Sequence, residues 1–179
     1  MKETSLEILQ KKAARIKWFF CDIDGTLTDG GVYYSPEGEL LKRFSLRDGT
    51  GFFLLRQCGI KAGFITTENS PIVEQRAKKL KIEKYIYGTH HKVEAIQEFL
   101  TSEGYSLENV AFIGDELNDV KLLKACGLAF AVGDADHRTK DAADIVCERL
   151  GGYGAFREAV ELLLDFKGID IDDLINHSL

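Results

Sequence analysis

The sequence of 179 residues predicts one α/β domain, residues 1–179, built on a parallel sheet with helices on both faces and a β-hairpin after the first strand. Three observations lead to this prediction. Strand-like and helix-like segments alternate about six times. The strand-like runs are short, apolar and ended by glycine or polar residues, which is typical of buried strands. Polar clusters follow the strand ends, where such sheets carry their sites.

The individual elements follow from these signals in chain order. The predicted strands cover residues 16–21, 60–65, 84–87, 109–113, 128–132 and 145–147. A capping serine followed by proline, Ser70-Pro71, marks the start of one helix. The predicted helices cover residues 3–15, 71–80, 93–101, 136–141 and 155–166, with one ending at Ala125 and another, after a polar loop over 45–51, ending at Gln57. Residues 151–154 are predicted to form a flexible turn, and the tail, about 168–179, a short helix or a loosely held segment.

The hairpin is predicted from two strand-like runs, 32–34 and 39–44, on either side of Ser35-Pro-Glu-Gly38. Proline at the second position and glycine at the fourth favour a type I turn. The alternative is a surface hairpin without a role. Its aromatic residues favour an interface or an active-site flap over about 32–44.

Composition excludes several classes of function. The formal net charge of −6, with no basic stripe, argues against nucleic-acid binding. The apolar runs are too short to cross a bilayer, and residues 1–17 lack the apolar core of a signal peptide, so a cytoplasmic protein is expected. The four cysteines contain no Cys-x-x-Cys pair and are expected to be buried free thiols.

Asp22 and Asp24 directly follow the first predicted strand and are the strongest candidate site. Alternate strand residues share a face, so both carboxylates can face one site. Close, buried carboxylates require a cation or a shared proton, and oxygen-only ligation suits Mg²⁺. A solvated turn is the alternative, because Asp and Gly are common in turns.

Other strand ends add the groups that phosphoryl transfer needs. Thr66 supplies a hydroxyl, Lys92 an ammonium, and Asp115 and Asp119 carboxylates. An in-line oxygen nucleophile and positive charge on the phosphoryl oxygens are the requirements of that chemistry. Each residue alone has an ordinary structural explanation, so the combination carries the prediction.

The run Asp22-Ile-Asp-Gly-Thr-Leu-Thr-Asp29-Gly resembles the first motif of the haloacid dehalogenase superfamily, whose core is a Rossmann-like sheet. The resemblance implies an Mg²⁺-dependent phosphatase that works through an aspartyl-phosphate. It implies that Asp22 is the nucleophile and Asp24 the general acid/base. The remaining implied roles are phosphate binding by Thr66 and Lys92, metal binding by Asp22, the Asp24 carbonyl and Asp115, and support by Asp119, Asn118 and Glu116.

Further strings, among them Gly151-Gly-Tyr-Gly-Ala-Phe-Arg-Glu158, resemble the 3-deoxy-D-manno-octulosonate 8-phosphate phosphatases and their nonulosonate 9-phosphate relatives. That family acts on sugar phosphates of lipopolysaccharide biosynthesis. Glu116 stands where a second aspartate is usual, and Thr67-Glu68 where Gly-Arg is usual. The expected specificity residues are Glu68, Arg47 and Arg157. Lys42 and Arg43 are further candidates for binding the substrate's carboxylate, and a neighbouring subunit is an alternative source of some of these cations.

The chain has no room for a cap domain between its motifs. A site of this type must exclude water, so a neighbouring subunit is expected to cover it. The family resemblance implies a homotetramer with packed hairpins. Two alternatives stay open: a nonulosonate 9-phosphate phosphatase, and an oligomerisation module without activity.

Overall fold

The computed structural model describes residues 5–178, which form a six-stranded parallel sheet between two helical layers, plus a separate two-stranded hairpin. The strands are β1 Trp18–Cys21, β2 Thr28–Ser35, β3 Gly38–Phe44, β4 Lys61–Ile65, β5 Lys84–Ile86, β6 Val110–Gly114, β7 Leu128–Ala131 and β8 Ile145–Val146. The helices are α1 Leu6–Arg15, α2 Leu46–Gln57, α3 Pro71–Leu80, α4 Lys92–Glu103, α5 Val120–Ala125, α6 His137–Ala142, α7 Ala155–Phe166 and α8 Ile171–Ser178. The predicted fold class is confirmed.

The sheet order β5-β4-β1-β6-β7-β8 places β1 near the centre, paired in parallel with β4 and β6. In register, Cys21 lies beside both Phe64 and Ile113. The three strands therefore end at the same edge. The residues that follow them come together there, as the sequence predicts.

The four residues of β1 divide between the two cores, as strand alternation requires. Phe19 and Cys21 face the core that includes side chains of α1, α2 and α7. Trp18 and Phe20 face the second core, which includes side chains of α4 and α5. All four are almost completely buried, so β1 is held from both sides.

Helix α2 corrects the prediction of a polar loop over 45–51, because it begins at Leu46. Ser45 caps it by accepting a hydrogen bond from the N–H of Arg47 at 3.1 Å. Gly51 lies in close contact with α7, where an added Cβ would be 3.0 Å from the Phe156 ring. Helix glycines normally indicate a break. Here, one of them permits two helices to pack closely.

The hairpin is longer than predicted, because β2 begins at Thr28 and pairs with β3 from Thr28–Phe44 to the Ser35–Gly38 turn. The hairpin therefore directly follows the loop that holds the two aspartates. In the predicted tail the helical alternative is the one found, as α8. Residues 3 and 4 of the first predicted helix lie outside the described residues. The other boundaries agree within two residues.

The turn over 151–154 is packed rather than free. A Cβ added to Gly151 would be 1.7 Å from the carbonyl oxygen of Gly25. Gly152 has φ of +67° and donates its N–H to the carbonyl of Thr26 at 2.9 Å. Only glycine fits such a close approach of two backbones. The segment before α7 therefore supports the aspartate loop directly.

Within residues 5–178, no helix combines the length and apolarity needed to cross a membrane.

Candidate functional site

A cavity of about 430 Å³ lies at the carboxyl edge of β1, β4 and β6. Its walls come from the aspartate loop, the hairpin and the segments after β4 and β6. Seven of the eleven predicted site residues line it: Asp22, Asp24, Thr66, Glu68, Asp115, Glu116 and Asn118. The structure therefore brings most of the predicted site residues together at the edge where the strands end.

Lys92, the first residue of α4, lies beneath this cavity and joins two aspartates. Its Nζ is 2.6 Å from Asp22 Oδ1 and 2.6 Å from Asp119 Oδ1. Its side chain is 1% exposed. Burial disfavours the charged ammonium, but the charges of both carboxylates outweigh this and raise the pKa of Lys92. A protonated lysine is therefore fixed beside Asp22.

Asp119 is fully engaged by protein groups. While Oδ1 meets Lys92, Oδ2 accepts the backbone N–H groups of Asp115 and Glu116 at 3.0 and 3.3 Å. Asp119 thus orients the lysine and shapes the turn after β6.

Asp115 is held in place by two contacts with the aspartate loop. Its Oδ1 accepts a hydrogen bond from the Thr26 hydroxyl at 2.9 Å. Its Oδ2 lies against Gly25, where an added Cβ would be only 2.0 Å away. Gly25 also has φ of +88°, so glycine is required at this position on two grounds. The aspartate loop is therefore fitted to the carboxylate that follows β6.

The electrostatics of this cluster favour a cation. Burial, followed by the negative charge of Asp119, raises the pKa of Asp22 well above its ordinary value. The same two causes raise the pKa of Asp115 to about 7. Oxygens of Asp22, Asp115 and Asp119 lie within 4.8 Å of one another. Since Asp119 is occupied, Asp22 and Asp115 are the carboxylates that fit a hard, oxygen-preferring ion such as Mg²⁺.

Asp24 is paired with a residue of the hairpin. Lys42 Nζ is 2.5 Å from Asp24 Oδ1 and 3.3 Å from Glu39 Oε2. Glu39 in turn accepts a hydrogen bond from the hydroxyl of Ser70, the residue before α3. The buried Lys42 and the partly exposed Asp24 and Glu39 therefore connect the hairpin, the aspartate loop and the start of α3.

Thr66 and Glu68 occupy the wall after β4. Thr66 is buried, and its Oγ1 accepts the N–H of Glu68 at 3.1 Å. The side chain of Glu68 is exposed at the cavity. A hydroxyl thus lies inside and a carboxylate at the rim.

The predicted arginines do not reach the cavity of this chain. Arg47 is exposed in the first turn of α2, and Arg157 forms an ion pair with Glu161 at 2.7 Å. Arg43 lies 3.7 Å from Asp29 and donates to the carbonyl of Gly152. Among the described residues that line the cavity, Lys42 is the only lysine or arginine.

Sequence reasoning missed four cavity or contact residues: Thr26, Val32, Tyr34 and Glu39. Val32 and Tyr34 could have been found from strand alternation, which places them on one face of β2. Thr26 belongs to the quoted motif, but its contact with Asp115 is 89 residues away in sequence. Nothing local indicates that contact.

Comparison with known proteins gives a consistent result. A family model described as haloacid dehalogenase-like hydrolase matches residues 68–150. A 3-deoxy-D-manno-octulosonate 8-phosphate phosphatase of Haemophilus influenzae is 37% identical over 160 residues, covering 89% of each chain. The protein of that name from Escherichia coli K12 is 37% identical over 157 residues, covering 88% of this chain and 84% of that one.

A solved structure extends the likeness to nearly the whole fold. The 3-deoxy-D-manno-octulosonate 8-phosphate phosphatase of Moraxella catarrhalis, in complex with magnesium, phosphate and the sugar acid, superposes with a TM-score of 0.90. It is 35% identical, and the match covers 96% of this chain and 98% of that one.

Proposed function

Because this chain belongs to the 3-deoxy-D-manno-octulosonate 8-phosphate phosphatase family of haloacid dehalogenase-like hydrolases, we propose that it hydrolyses a 3-deoxy-ulosonic acid phosphate with Mg²⁺ as cofactor. The observation that carries this proposal is the buried Lys92 bound to Asp22 and Asp119 beside the cavity. 3-Deoxy-D-manno-octulosonate 8-phosphate is the first candidate substrate.

Asp22 is the nucleophile in this proposal. One carboxylate oxygen attacks phosphorus, the bond to the sugar oxygen breaks, and an aspartyl-phosphate forms. Lys92 neutralises charge on the phosphoryl oxygens, and the buried Thr66 hydroxyl donates a hydrogen bond to one of them. Asp22, the Asp24 carbonyl and Asp115 would hold Mg²⁺, which supplies further positive charge there.

Asp24 moves the protons. It gives a proton to the departing sugar oxygen, and then takes one from the water that attacks the aspartyl-phosphate. That second step returns Asp22 to its free form and releases inorganic phosphate. The position of Asp24 beside Asp22 at the cavity supports this role.

The rival reading as a module without activity is disfavoured by the same geometry. An oligomerisation module would gain nothing from burying Lys92 between two carboxylates. Buried ion pairs are weak sources of stability because of their desolvation cost. The arrangement is better explained by chemistry than by folding.

The second candidate substrate is a nonulosonate 9-phosphate, and the observation that favours it is Glu68 at the cavity. An ulosonic acid carboxylate needs a cation, whereas Glu68 can accept hydrogen bonds only from hydroxyls or an amine. The longer polyol of a nine-carbon sugar offers more such groups.

Phosphate release from the two substrates tests the function, and Glu68→Arg tests the choice between them. We expect the wild type to hydrolyse at least one of them in the presence of Mg²⁺. If Glu68 sets the choice, Glu68→Arg moves the ratio of kcat/KM toward the octulosonate by about tenfold. The reason is that Glu68 repels the substrate's carboxylate, whereas an arginine at this position can bind it with two hydrogen bonds. An unchanged ratio removes Glu68 from the specificity argument, and a wild type inactive on both substrates removes the proposed function.

The cavity is open, and we propose that a second copy of the chain covers it in a homotetramer. The hairpin carries the apolar side chains that support this. Tyr33 and Leu41 lie opposite each other across the two strands and are 59% and 45% exposed. Val32 and Tyr34, at alternate positions, line the cavity instead. One face of the hairpin therefore remains available for a neighbour.

Leu41→Glu is expected to break this assembly, because it places a charge in an apolar contact. Sedimentation of the wild type should give a species of four 20.0-kDa chains, and the variant should give smaller species with lower activity. Leu6→Glu on α1, another exposed leucine, is the matched control and should leave assembly intact. A fully active wild-type monomer would contradict the covered-site argument.

We also propose that the enzyme works in the cytoplasm. Its four cysteines are free thiols, two of them buried, as is usual in a reducing compartment. The sugar acid phosphate then belongs to the synthesis of a cell-surface glycan such as lipopolysaccharide.

A further inference from the structure

Lys42 is a buried charge that the proposed mechanism does not use. Its side chain is 1% exposed, although it lies in the middle of a two-stranded hairpin outside the main sheet. Its ammonium meets Asp24 at 2.5 Å and Glu39 at 3.3 Å. Burial disfavours the charge, but the hydrogen bond and charge of Asp24, with Glu39, raise the pKa of Lys42.

The two oxygens of Asp24 differ in their surroundings. Oδ1 is bound by Lys42, whereas Oδ2 is buried and has no hydrogen-bond partner among residues 5–178. An unpaired buried carboxylate oxygen is costly unless another group completes it. The cavity that Asp24 lines is where such a group would enter.

Lys42 is also held by Glu39, in addition to Asp24. Glu39 binds the ammonium and also accepts the hydroxyl of Ser70, which is 3% exposed. Glu39 and Lys42 are three residues apart on β3, and Ser70 precedes α3. The ammonium is therefore anchored to two separate parts of the fold.

We propose that Lys42 is a positioning residue, which fixes Asp24 through Oδ1 so that Oδ2 is the oxygen that exchanges the proton with the leaving group. This inference rests on the proposed function, in which Asp24 is the general acid/base. Lys42 touches neither phosphorus nor the leaving oxygen in this role. It acts by holding the Asp24 carboxylate in one orientation, and misplacement of a reacting group by about 1 Å can cost about 100-fold in rate.

A comparison of leaving groups separates this role from others. A sugar alkoxide needs a proton as it departs, and general acid catalysis contributes about 10²–10⁴-fold. A para-nitrophenolate is stable without that proton. A disturbance of Asp24 therefore slows sugar phosphates far more than it slows para-nitrophenyl phosphate.

The experiment measures kcat/KM for Lys42→Met on three substrates with Mg²⁺. These are 3-deoxy-D-manno-octulosonate 8-phosphate, a hexose 6-phosphate without a carboxylate, and para-nitrophenyl phosphate. We expect about tenfold or greater loss on both sugar phosphates and less than about threefold loss on the aryl ester. Lys61→Met, which removes the exposed ion pair to Glu103, is the matched control and should change none of the three.

Each other result overturns the inference in a distinct way. Equal losses on all three substrates mean general damage to the site. A loss confined to the octulosonate means that Lys42 binds the substrate's carboxylate. If Lys42→Met does not fold, Glu39→Gln takes its place, because it weakens the ion pair that holds the Lys42 ammonium. It must then slow both sugar phosphates more than the aryl ester, by a smaller factor, or the inference fails. A wild type that is inactive on all three substrates refutes the proposed function and, with it, the role of Lys42, whereas the outcomes above refute the role of Lys42 alone.

Discussion

Replacing Asp22 by asparagine is expected to lower phosphatase turnover by about 10³-fold or more, the scale on which loss of one member of a catalytic unit acts. An amide cannot attack phosphorus, and no aspartyl-phosphate can form at this position. Phosphate release from a sugar phosphate, measured with Mg²⁺ present, checks the prediction. Near-normal steady-state turnover would end the assignment of Asp22 as nucleophile.

The fold should survive this substitution. Lys92 keeps its second partner, Asp119, at 2.6 Å, so the ammonium does not lose all compensation. Burial and the charge of Asp119 already disfavour ionised Asp22, so a neutral amide relieves that penalty. Thermal unfolding is the control, and a melting temperature within a few degrees of the wild type separates lost chemistry from lost structure.

Asp24→Asn is the informative companion to Asp22→Asn. Its nucleophile is intact, so a phosphorylated protein can accumulate because water is no longer activated. Brief exposure to substrate, acid quenching and intact-mass measurement should show an added phosphoryl group in Asp24→Asn and none in Asp22→Asn. The reverse pattern would exchange the two roles.

Removal of divalent cations is the second change with a large expected effect. Chelation by EDTA should abolish activity, and added Mg²⁺ should restore it. Zn²⁺ should restore little, because no histidine or cysteine joins the clustered carboxylates Asp22, Asp115 and Asp119 among the described residues. Full activity after exhaustive chelation would refute a metal requirement.

Stability gives a readout of the same site that does not depend on activity. In the unfolded chain an aspartate has a pKa of about 3.9, whereas that of Asp115 in the metal-free fold is about 7. Between these values the fold retains a proton that the unfolded chain releases. The contribution of Asp115 is therefore full below about pH 4 and is lost as the pH rises through about 7.

Melting temperatures at pH 5 and pH 8 check this sign. The metal-free protein should lose stability between them, and Mg²⁺ should reduce the loss because a bound cation favours ionised carboxylates. Asp115→Asn should reduce the loss as well and should make the protein less responsive to Mg²⁺. A metal-free stability that rises over this range would contradict the clustered-carboxylate account.

Sequence reasoning succeeded where local rules govern the structure. Strand ends in a parallel sheet meet at one edge, so Asp22, Thr66 and Asp115 could be placed together before any coordinates. Apolar run lengths and helix-start signals located the elements to within about two residues, apart from α2 and the start of β2.

The failures have a different physical origin. The glycines near the start of α2 suggested a loop. Gly51 instead permits close contact with the ring of Phe156, which lies in a helix more than 100 residues later. The pairing of Lys42 with Asp24 was not predicted, because it depends on how the hairpin folds over the aspartate loop. Arg47 and Arg157 lie away from the cavity of this chain, so their role in specificity stays a prediction that depends on a neighbouring subunit. Each of these outcomes is decided by contacts between distant segments.

The contact of Gly151 and Gly152 with the aspartate loop has a consequence for the order of events during synthesis. The ribosome delivers Asp22 and Asp24 early, but the backbone that supports Gly25 and Thr26 emerges some 125 residues later. Long-range contacts of this kind form late, because the intervening chain must first be ordered. A nascent chain that stops short of residue 151 can therefore form much of the sheet while the loop that carries Asp22 still lacks the backbone contacts of Gly151 and Gly152. Completion of the nucleophile loop therefore depends on a segment that is made long after the loop itself.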